Sequence, residues 1–345
     1  MVLRMAEGFE GSTRIFSNKW NIPIGDVSLS GTGAEGGNSS NMANVTGYTV
    51  ASSSTNDEMI LGIRLRVASS VAASTYSWVG VGLGTRSQCS LRITRTSTGI
   101  QAQAYRQTGG DTAIGSAVSL GVSTDTFFYL QIRFLIDNSA GEVEVRVDDS
   151  TTPVLNIQTS DSISTQGLSA SDQISSVHFY QADGFLFDDL YLLDTSAASG
   201  GGGQTSFLGP IVARVGSFTG VASSTGFSTV GAASADAAVS DDDPSTFNSS
   251  NTNGDQQEFS VADLSGLGAT YYGVQVDVLA RTAAVGSRQI RPKLGNVGGT
   301  KNGANRNIVS TSDAHTFAMF TEDAGNADFD ATDIANMQPG YEITN

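Results

Sequence analysis

Apolar residues recur at every second position in segment after segment of this chain, and that period restricts it to β-structure. Met59, Leu61, Ile63, Leu65 and Val67 fall on one side of an extended segment, with Arg64 and Arg66 on the other. Phe128, Leu130, Ile132, Phe134 and Ile136 repeat the pattern against Gln131 and Arg133. Val143, Val145 and Val147 alternate with Glu142, Glu144 and Arg146, and Val79, Val81 and Leu83 alternate with glycines. Shorter strands are predicted at 91–94, 100–106, 154–157, 174–180 and 185–193. Gly109-Gly110-Asp111, Asp137-Asn-Ser-Ala-Gly141 and Asp148-Asp-Ser-Thr-Thr-Pro153 supply turns between them. No apolar stripe of helical period competes. One-sided alternation with polar outer positions predicts antiparallel sheets packed face to face, a β-sandwich.

At 345 residues the chain has room for about two domains, each with its own core. Charged residues make up 15%, below the roughly 25% of an average domain, and there are 40 glycines. That is the make-up of short strands joined by tight turns. Four consecutive glycines, Gly200 to Gly203, cannot hold a helix or strand against backbone entropy. They place a first domain at 6–196, a linker at 197–206 and a second domain at 207–345. In the second domain Tyr272, Val274, Val276, Val278 and Ala280 share one face, opposite Gln275 and Asp277. Further strands are expected at 211–215, 257–261, 289–294, 316–320 and 340–343. Pro292 marks its strand as an edge or a bulge, and 332–337 has room for one helical turn. The fold class is all-β, two β-sandwich domains joined by a glycine-rich linker.

The formal charge is −16, with 19 acidic and 11 basic residues up to 196 and 15 acidic and 7 basic beyond it. An evenly acidic surface repels phosphate backbones, so no nucleic-acid partner is expected. Cys89 is the single cysteine, which leaves neither an intrachain disulfide nor a cysteine metal cluster. The first residues lack the apolar stretch of a signal peptide, and no run of 18 apolar residues would span a membrane. The expectation is a soluble chain made in a cytoplasm.

Few side chains suggest chemistry. His178 and His315 lack metal-ligand spacing and read as ordinary strand histidines, there is no Gly-x-Ser-x-Gly elbow, and Gly298-Gly-Thr-Lys-Asn302 lacks the spacing of a phosphate loop. Asp188 and Asp189, adjacent on a strand, should point to opposite faces and so not act as an acid–base pair. Either has the chemistry to join Asp183 or Asp194 around calcium, although side-chain bonds closing the sandwich edge are the plainer reading. Asp241-Asp242-Asp243 before Pro244 reads as a solvated turn. Trp20, Trp78, Tyr105 and Tyr180 are the candidates for a sugar-stacking platform, with Trp78 expected in the core. No catalytic, cofactor or metal residue is assigned, and the chain is expected not to be an enzyme.

The segment Asp183-Gly-Phe-Leu-Phe-Asp-Asp-Leu-Tyr-Leu-Leu-Asp194 resembles the last strand of concanavalin-like, laminin-G-like jelly rolls, and Gly8-Phe9-Glu10, Lys19-Trp20 and Gly36-Gly37 look like the opening of phage versions of that domain. Five later stretches resemble, in order, the C-terminal module of a family of tailed-phage and prophage virion proteins. They are Phe207-Leu-Gly-Pro-Ile-Val-Ala-Arg-Val215, Asp241-Asp-Asp-Pro-Ser-Thr-Phe247, Tyr272-Gly-Val-Gln-Val-Asp-Val-Leu-Ala-Arg281, Gly286-Ser-Arg-Gln-Ile290 and Met337-Gln-Pro-Gly-Tyr-Glu-Ile343. The resemblance implies a virion structural protein whose partners are other virion proteins, further copies of itself and host-surface carbohydrate. A tail or tail-fibre appendage leads, with capsid decoration or a head spike next; a lectin-like adhesin and a glycan depolymerase are the rivals. A cluster of aromatics on one concave face would favour the adhesin. A symmetric homo-oligomer, a trimer before a hexamer, is expected, with the strand at 340–343 either completing its own sheet or pairing with a neighbouring subunit.

Overall fold

The computed structural model describes residues 2–7, 27–30, 39–42, 45–49, 57–83, 86–161, 164–167, 171–180, 182–194, 206–240, 243–264, 270–282, 288–296, 298–308 and 313–345. Nearly all regular structure is β, as the alternation requires. The described residues divide into two units, those up to Arg214 in the first and those from Val215 in the second. Gly8 to Glu10, Lys19-Trp20, Gly36-Gly37 and the glycine run all lie outside the described residues.

The first unit contains, in chain order, β1 (Val2–Glu7), β2 (Val27–Ser30), β3 (Ser39–Met42), β4 (Val45–Thr49), β5 (Glu58–Val67), β6 (Tyr76–Leu83) and β7 (Arg86–Thr96). It continues with β8 (Gly99–Gln107), β9 (Asp111–Ser119), β10 (Phe128–Leu135), β11 (Glu142–Val147), β12 (Leu155–Ile157), β13 (Ser176–Tyr180) and β14 (Phe185–Asp194). One sheet has the order β12-β11-β10-β5-β14-β3-β2, with β1 also on β14; the other has the order β4-β13-β6-β7-β8-β9. All pairs are antiparallel. The alternating residues named above face inward: Leu61, Ile63, Leu130, Phe134, Val79 and Val81 are almost wholly buried. Phe179 of one sheet and Phe187 of the other bring their rings to 5.8 Å across the gap. Each such side chain contributes about 1.5–3 kcal/mol by leaving water, which is what holds the two sheets together.

β14 carries a bulge. Its register on β5 runs from Asp188↔Arg64 to Tyr191↔Gly62, so two residues, Asp189 and Leu190, stand against one. Asp189 takes a left-handed backbone (φ 42°). The expected alternation therefore fails here: Asp189 reaches Arg64, the partner of Asp188, with Oδ2 3.0 Å from Nε. Beyond the bulge Tyr191 lies flat over Gly62, where a β-carbon would sit 2.0 Å from the tyrosine ring.

On this outer face of the larger sheet lies a strap. The stretch Phe207–Arg214, which the sequence places in the second domain, belongs to the first unit, and the strand expected at 211–215 does not form. The reason is a set of side chains that satisfy its backbone. Leu208 N–H donates to Tyr191 Oη (3.2 Å), Gly209 N–H to Gln131 Oε1 (2.8 Å) and Ala213 N–H to Asp189 Oδ1 (2.9 Å). Arg64 donates to the Ile211 carbonyl (3.4 Å), and the Arg146 guanidinium lies 4.3 Å from the Phe207 ring. Tyr129, stacked on Tyr191 at 6.2 Å, donates to the Asp189 carbonyl at 2.7 Å. Its burial raises the phenol pKa well above the usual tyrosine range.

The second unit contains β15 (Phe218–Thr225), β16 (Ser228–Val230), α1 (Ala235–Ser240), β17 (Phe247–Ser249), β18 (Gln256–Val261), β19 (Val274–Ala280), β20 (Arg288–Asn296), β21 (Gly299–Asn302), β22 (Arg306–Ile308), β23 (Ala314–Phe320), α2 (Ala331–Ala335) and β24 (Gln338–Ile343). A sheet of order β15-β18-β24-β20-β21, with β22 also on β20, packs on the β19–β23 ribbon. Val276, Val278 and Phe320 of the ribbon meet Ile290 and Leu294 of the sheet, joined by Ile334 of α2. The expected helical turn is present with a capping box: Asp330 accepts from Thr332 and Asp333 N–H, and Asp333 accepts from Asp330 N–H.

Two open readings of the second domain are resolved. Pro292 is not at a sheet edge but sits at the expected bulge: β24 pairs along one side of β20, and on the other three residues, 303–305, stand against Arg291 and Pro292, between β22 on Arg288–Ile290 and β21 on Lys293–Asn296. The missing N–H falls in the gap between them. The terminal strand β24 lies between β18 and β20, with Gly340 close against the Gln257 carbonyl, so it completes its own sheet and offers no edge to a neighbour.

Two substitutions test the outer-face arrangement. Gly62→Ala forces the Tyr191 ring off the sheet and should cost about 2–3 kcal/mol of unfolding free energy. Asp189→Ala removes the buried ion pair to Arg64 and the acceptor for Ala213 N–H, and should cost about 3 kcal/mol or more. Denaturant unfolding of both variants, with protease mapping of 206–214, checks this; wild-type stability in either would remove the strap from the first unit's framework.

Candidate functional site

The outer face of the smaller sheet is built differently. Its inward positions are Val79, Val81, Leu91, Ile93, Ala102 and Ala104, all buried, so the intervening residues point outward. The register sets those residues in rows across the strands. Tyr180, Trp78, Arg92 and Gln103 form one row; Tyr76, Thr94 and Gln101 form the next; His178, Gly80, Ser90 and Tyr105 lie on the other side. Four aromatic rings thus share one surface, each half-buried.

At its centre the Arg92 guanidinium is held between two rings, 4.1 Å from the centroid of Tyr76 and 4.1 Å from that of Tyr105. Such contacts contribute about 0.5–2 kcal/mol each and fix the plane of the cation. Arg92 also pairs with Asp111 on β9, and Gln107 donates to the same carboxylate. Trp78 and Tyr180 stack at 6.4 Å with planes 16° apart, and Tyr76 lies 5.9 Å from Tyr180. Tyr105 donates to Gln103 Oε1 (2.8 Å), whose amide donates to the Gly115 carbonyl (3.0 Å). Ser74, Tyr76, Arg92, Thr94, Gln101, Gln103 and Tyr105 line a shallow depression of about 340 Å³. Flat apolar rings beside fixed amides and a guanidinium can hold a ligand that is apolar on one side and hydroxylated on the other.

Three of the four platform candidates, Trp78, Tyr105 and Tyr180, come together here, whereas Trp20 lies outside the described residues. Trp78 is not a core residue. It shares the phase of Gly80, opposite to Val79 and Val81. Tyr76 and Arg92 were missed, although Tyr76 has the same phase as Trp78.

Beside the platform, His178 is 3% exposed and shares a 2.8 Å hydrogen bond between Nε2 and Ser176 Oγ. It is the satisfied strand histidine expected, with its pKa lowered to about 4 by burial. His315 lies on the second unit's ribbon, with Nε2 2.8 Å from Asp277 Oδ1 and its ring stacked on Phe317 at 5.7 Å. Cys89 is buried, its thiol pushed up to about 12, and so unreactive. The acidic candidates do not converge. Asp183 lies before β14 and Asp194 at its end, roughly 30 Å apart along an extended strand. Asp189 is held by Arg64 and the strap, while Asp188 accepts from Asp189 N–H at 2.9 Å. Asp243 closes a turn by accepting from Ser245 N–H (2.8 Å), and Asp241 and Asp242 lie outside the described residues. Among the described residues no group of three or more His, Cys, Asp or Glu is placed to hold a metal.

No protein-family model matches the sequence, and no curated protein matches it. Among solved structures, the chain is similar to the globular domain of T. cruzi calreticulin, at 9% identity and a TM-score of 0.39, covering 56% of this chain and 88% of that one. It is also similar to the CBM2 module of the Lactobacillus casei BL23 phage J-1 evolved Dit, at 11% identity and a TM-score of 0.30, covering 56% and 96%. A third likeness is to the Botulinum neurotoxin serotype D binding domain, at 9% identity and a TM-score of 0.35, covering 87% and 91%. None of these is close enough to carry a function to this chain.

Burial of His178 gives a pH dependence of known sign. Its folded pKa of about 4 lies below the unfolded value of 6.5, so the unfolded chain takes up the proton first. Stability from this residue is complete above pH 6.5 and falls by about 3 kcal/mol as pH drops towards 4. Equilibrium unfolding across that range, compared with His178→Gln, should show the wild type losing more. Parallel curves would mean that His178 titrates freely in the folded chain.

Proposed function

We propose that this chain is a non-enzymatic glycan-binding protein, carried on the outside of a tailed-phage particle as part of a tail or tail-fibre appendage. The observation that carries the binding is the Arg92 centre with Tyr76, Trp78, Tyr105 and Tyr180 around it on one outer face. A sandwich needs nothing apolar on an outer face, and four rings with an ordered guanidinium are costly to keep wet unless a partner covers them. Sugars suit such a surface, since a pyranose has a C–H face to lay on the rings and hydroxyls for the glutamines and arginine. The virion setting is supported by the resemblance of the stretches from Phe207 to Ile343. Within this reading the second unit attaches the chain to the particle and the first unit presents the face. Assembly as a trimer belongs to the reading too, through surfaces other than β24, whose two sides are already paired.

A glycan array of host-surface oligosaccharides, read with the full chain, tests the binding. A hit should weaken by about ten-fold or more in Trp78→Ala and in Arg92→Ala, each with wild-type unfolding behaviour. Binding that survives both substitutions would move the site elsewhere. Release of reducing ends from a bound polysaccharide would overturn the non-enzyme reading.

A further inference from the structure

The charges on this face go further than the aromatics. Among the described residues lining the depression and their ionic partners, the charged side chains are Arg92 and Asp111, and they are paired with each other. The other groups lining the depression are tyrosines, glutamines and small residues: Tyr76, Tyr105, Gln101, Gln103, Thr94 and Ser74. The guanidinium is thus a planar hydrogen-bond donor whose charge is already balanced. A carboxylated or sulfated sugar would meet no net positive charge here and would approach a chain of formal charge −16. An uncharged sugar loses nothing by that balance.

The layout of the row adds a direction. Tyr180, Trp78, Arg92 and Gln103 stand on four neighbouring strands, three inter-strand steps or roughly 14 Å from end to end. Rings occupy the β13–β6 end and hydrogen-bonding groups the β7–β8 end. We propose that the face takes an uncharged oligosaccharide of a few sugar residues, laid across the strands, with its C–H surfaces on Trp78 and Tyr76 and its hydroxyls on Arg92, Gln101 and Gln103. This rests on the glycan-binding reading and names its substrate class.

The test titrates the full chain with two sets of soluble oligosaccharides by calorimetry, at low and high salt. The uncharged set is gluco-, manno- and galacto-oligosaccharides from dimer to hexamer; the anionic set is oligogalacturonates and hyaluronan oligomers of the same lengths. An uncharged series should bind, with affinity that grows with length before levelling off and changes less than about two-fold with salt. Asp111→Asn removes the balancing charge and should improve anionic oligomers relative to uncharged ones by about ten-fold at low salt. Tighter binding of an anionic series by the wild type, weakened by salt, would overturn the proposal, as would a preference that Asp111→Asn leaves unmoved. Affinity that does not change with length would overturn the arrangement across the strands. Failure of every oligosaccharide in both sets, with the fold intact, would remove the glycan reading itself and the proposal with it.

Discussion

Sealing the space between two sheets decides most of what the first unit can be. Once the inward residues of β5, β10, β6 and β7 are buried against one another, the sandwich has two outer faces left, and each needs its own solution. The larger sheet covers its outer face with the chain's own Phe207–Arg214. The smaller sheet's face, lined with rings around an arginine, is left open by the described residues. The contrast gives the open face its meaning, because the same chain shows how it treats a surface that is meant to be covered from within.

Both solutions depend on backbone detail. The strap is held by side chains that receive an irregular backbone: Tyr191 and Asp189 accept its amides, and Gln131 and Arg64 act beside them. These groups are brought into place by one extra residue in β14, which turns Asp189 towards Arg64. On the other sheet no such irregularity intervenes along β6 from Tyr76 to Val81, and strict alternation carries Tyr76 and Trp78 to the same side.

That difference explains how much could be read from sequence. Strands with one strongly apolar face, such as β5, β10 and β11, were legible because the buried set recurs at every second residue. β9 was not: Asp111-Thr-Ala-Ile-Gly-Ser-Ala-Val-Ser119 has little apolar area to bury and is mostly exposed. α1 was missed for the same reason, since an alanine-rich turn leaves no stripe of large residues. The bulge was invisible because two adjacent aspartates look alike whether the strand is regular or not. At the site, the phase of Val79 and Val81 already assigned Trp78 to the outer face, and the usual preference of tryptophan for burial argued against it. The pairing of Arg92 with Tyr76 and Tyr105 needed the register of three strands, which no single segment contains.

The strap also separates two things that sequence alone treats as one, the place where composition changes and the place where a folding unit ends. The glycine run lies before Phe207, yet the first unit's framework closes at Arg214. A gene fragment divided at the glycines would give a first half with Tyr191, Gln131 and Asp189 open to water, and a second half led by a loose apolar tail. A piece of this chain that carries the aromatic face in a complete framework has to include the residues up to Arg214, beyond the glycines that look like its border.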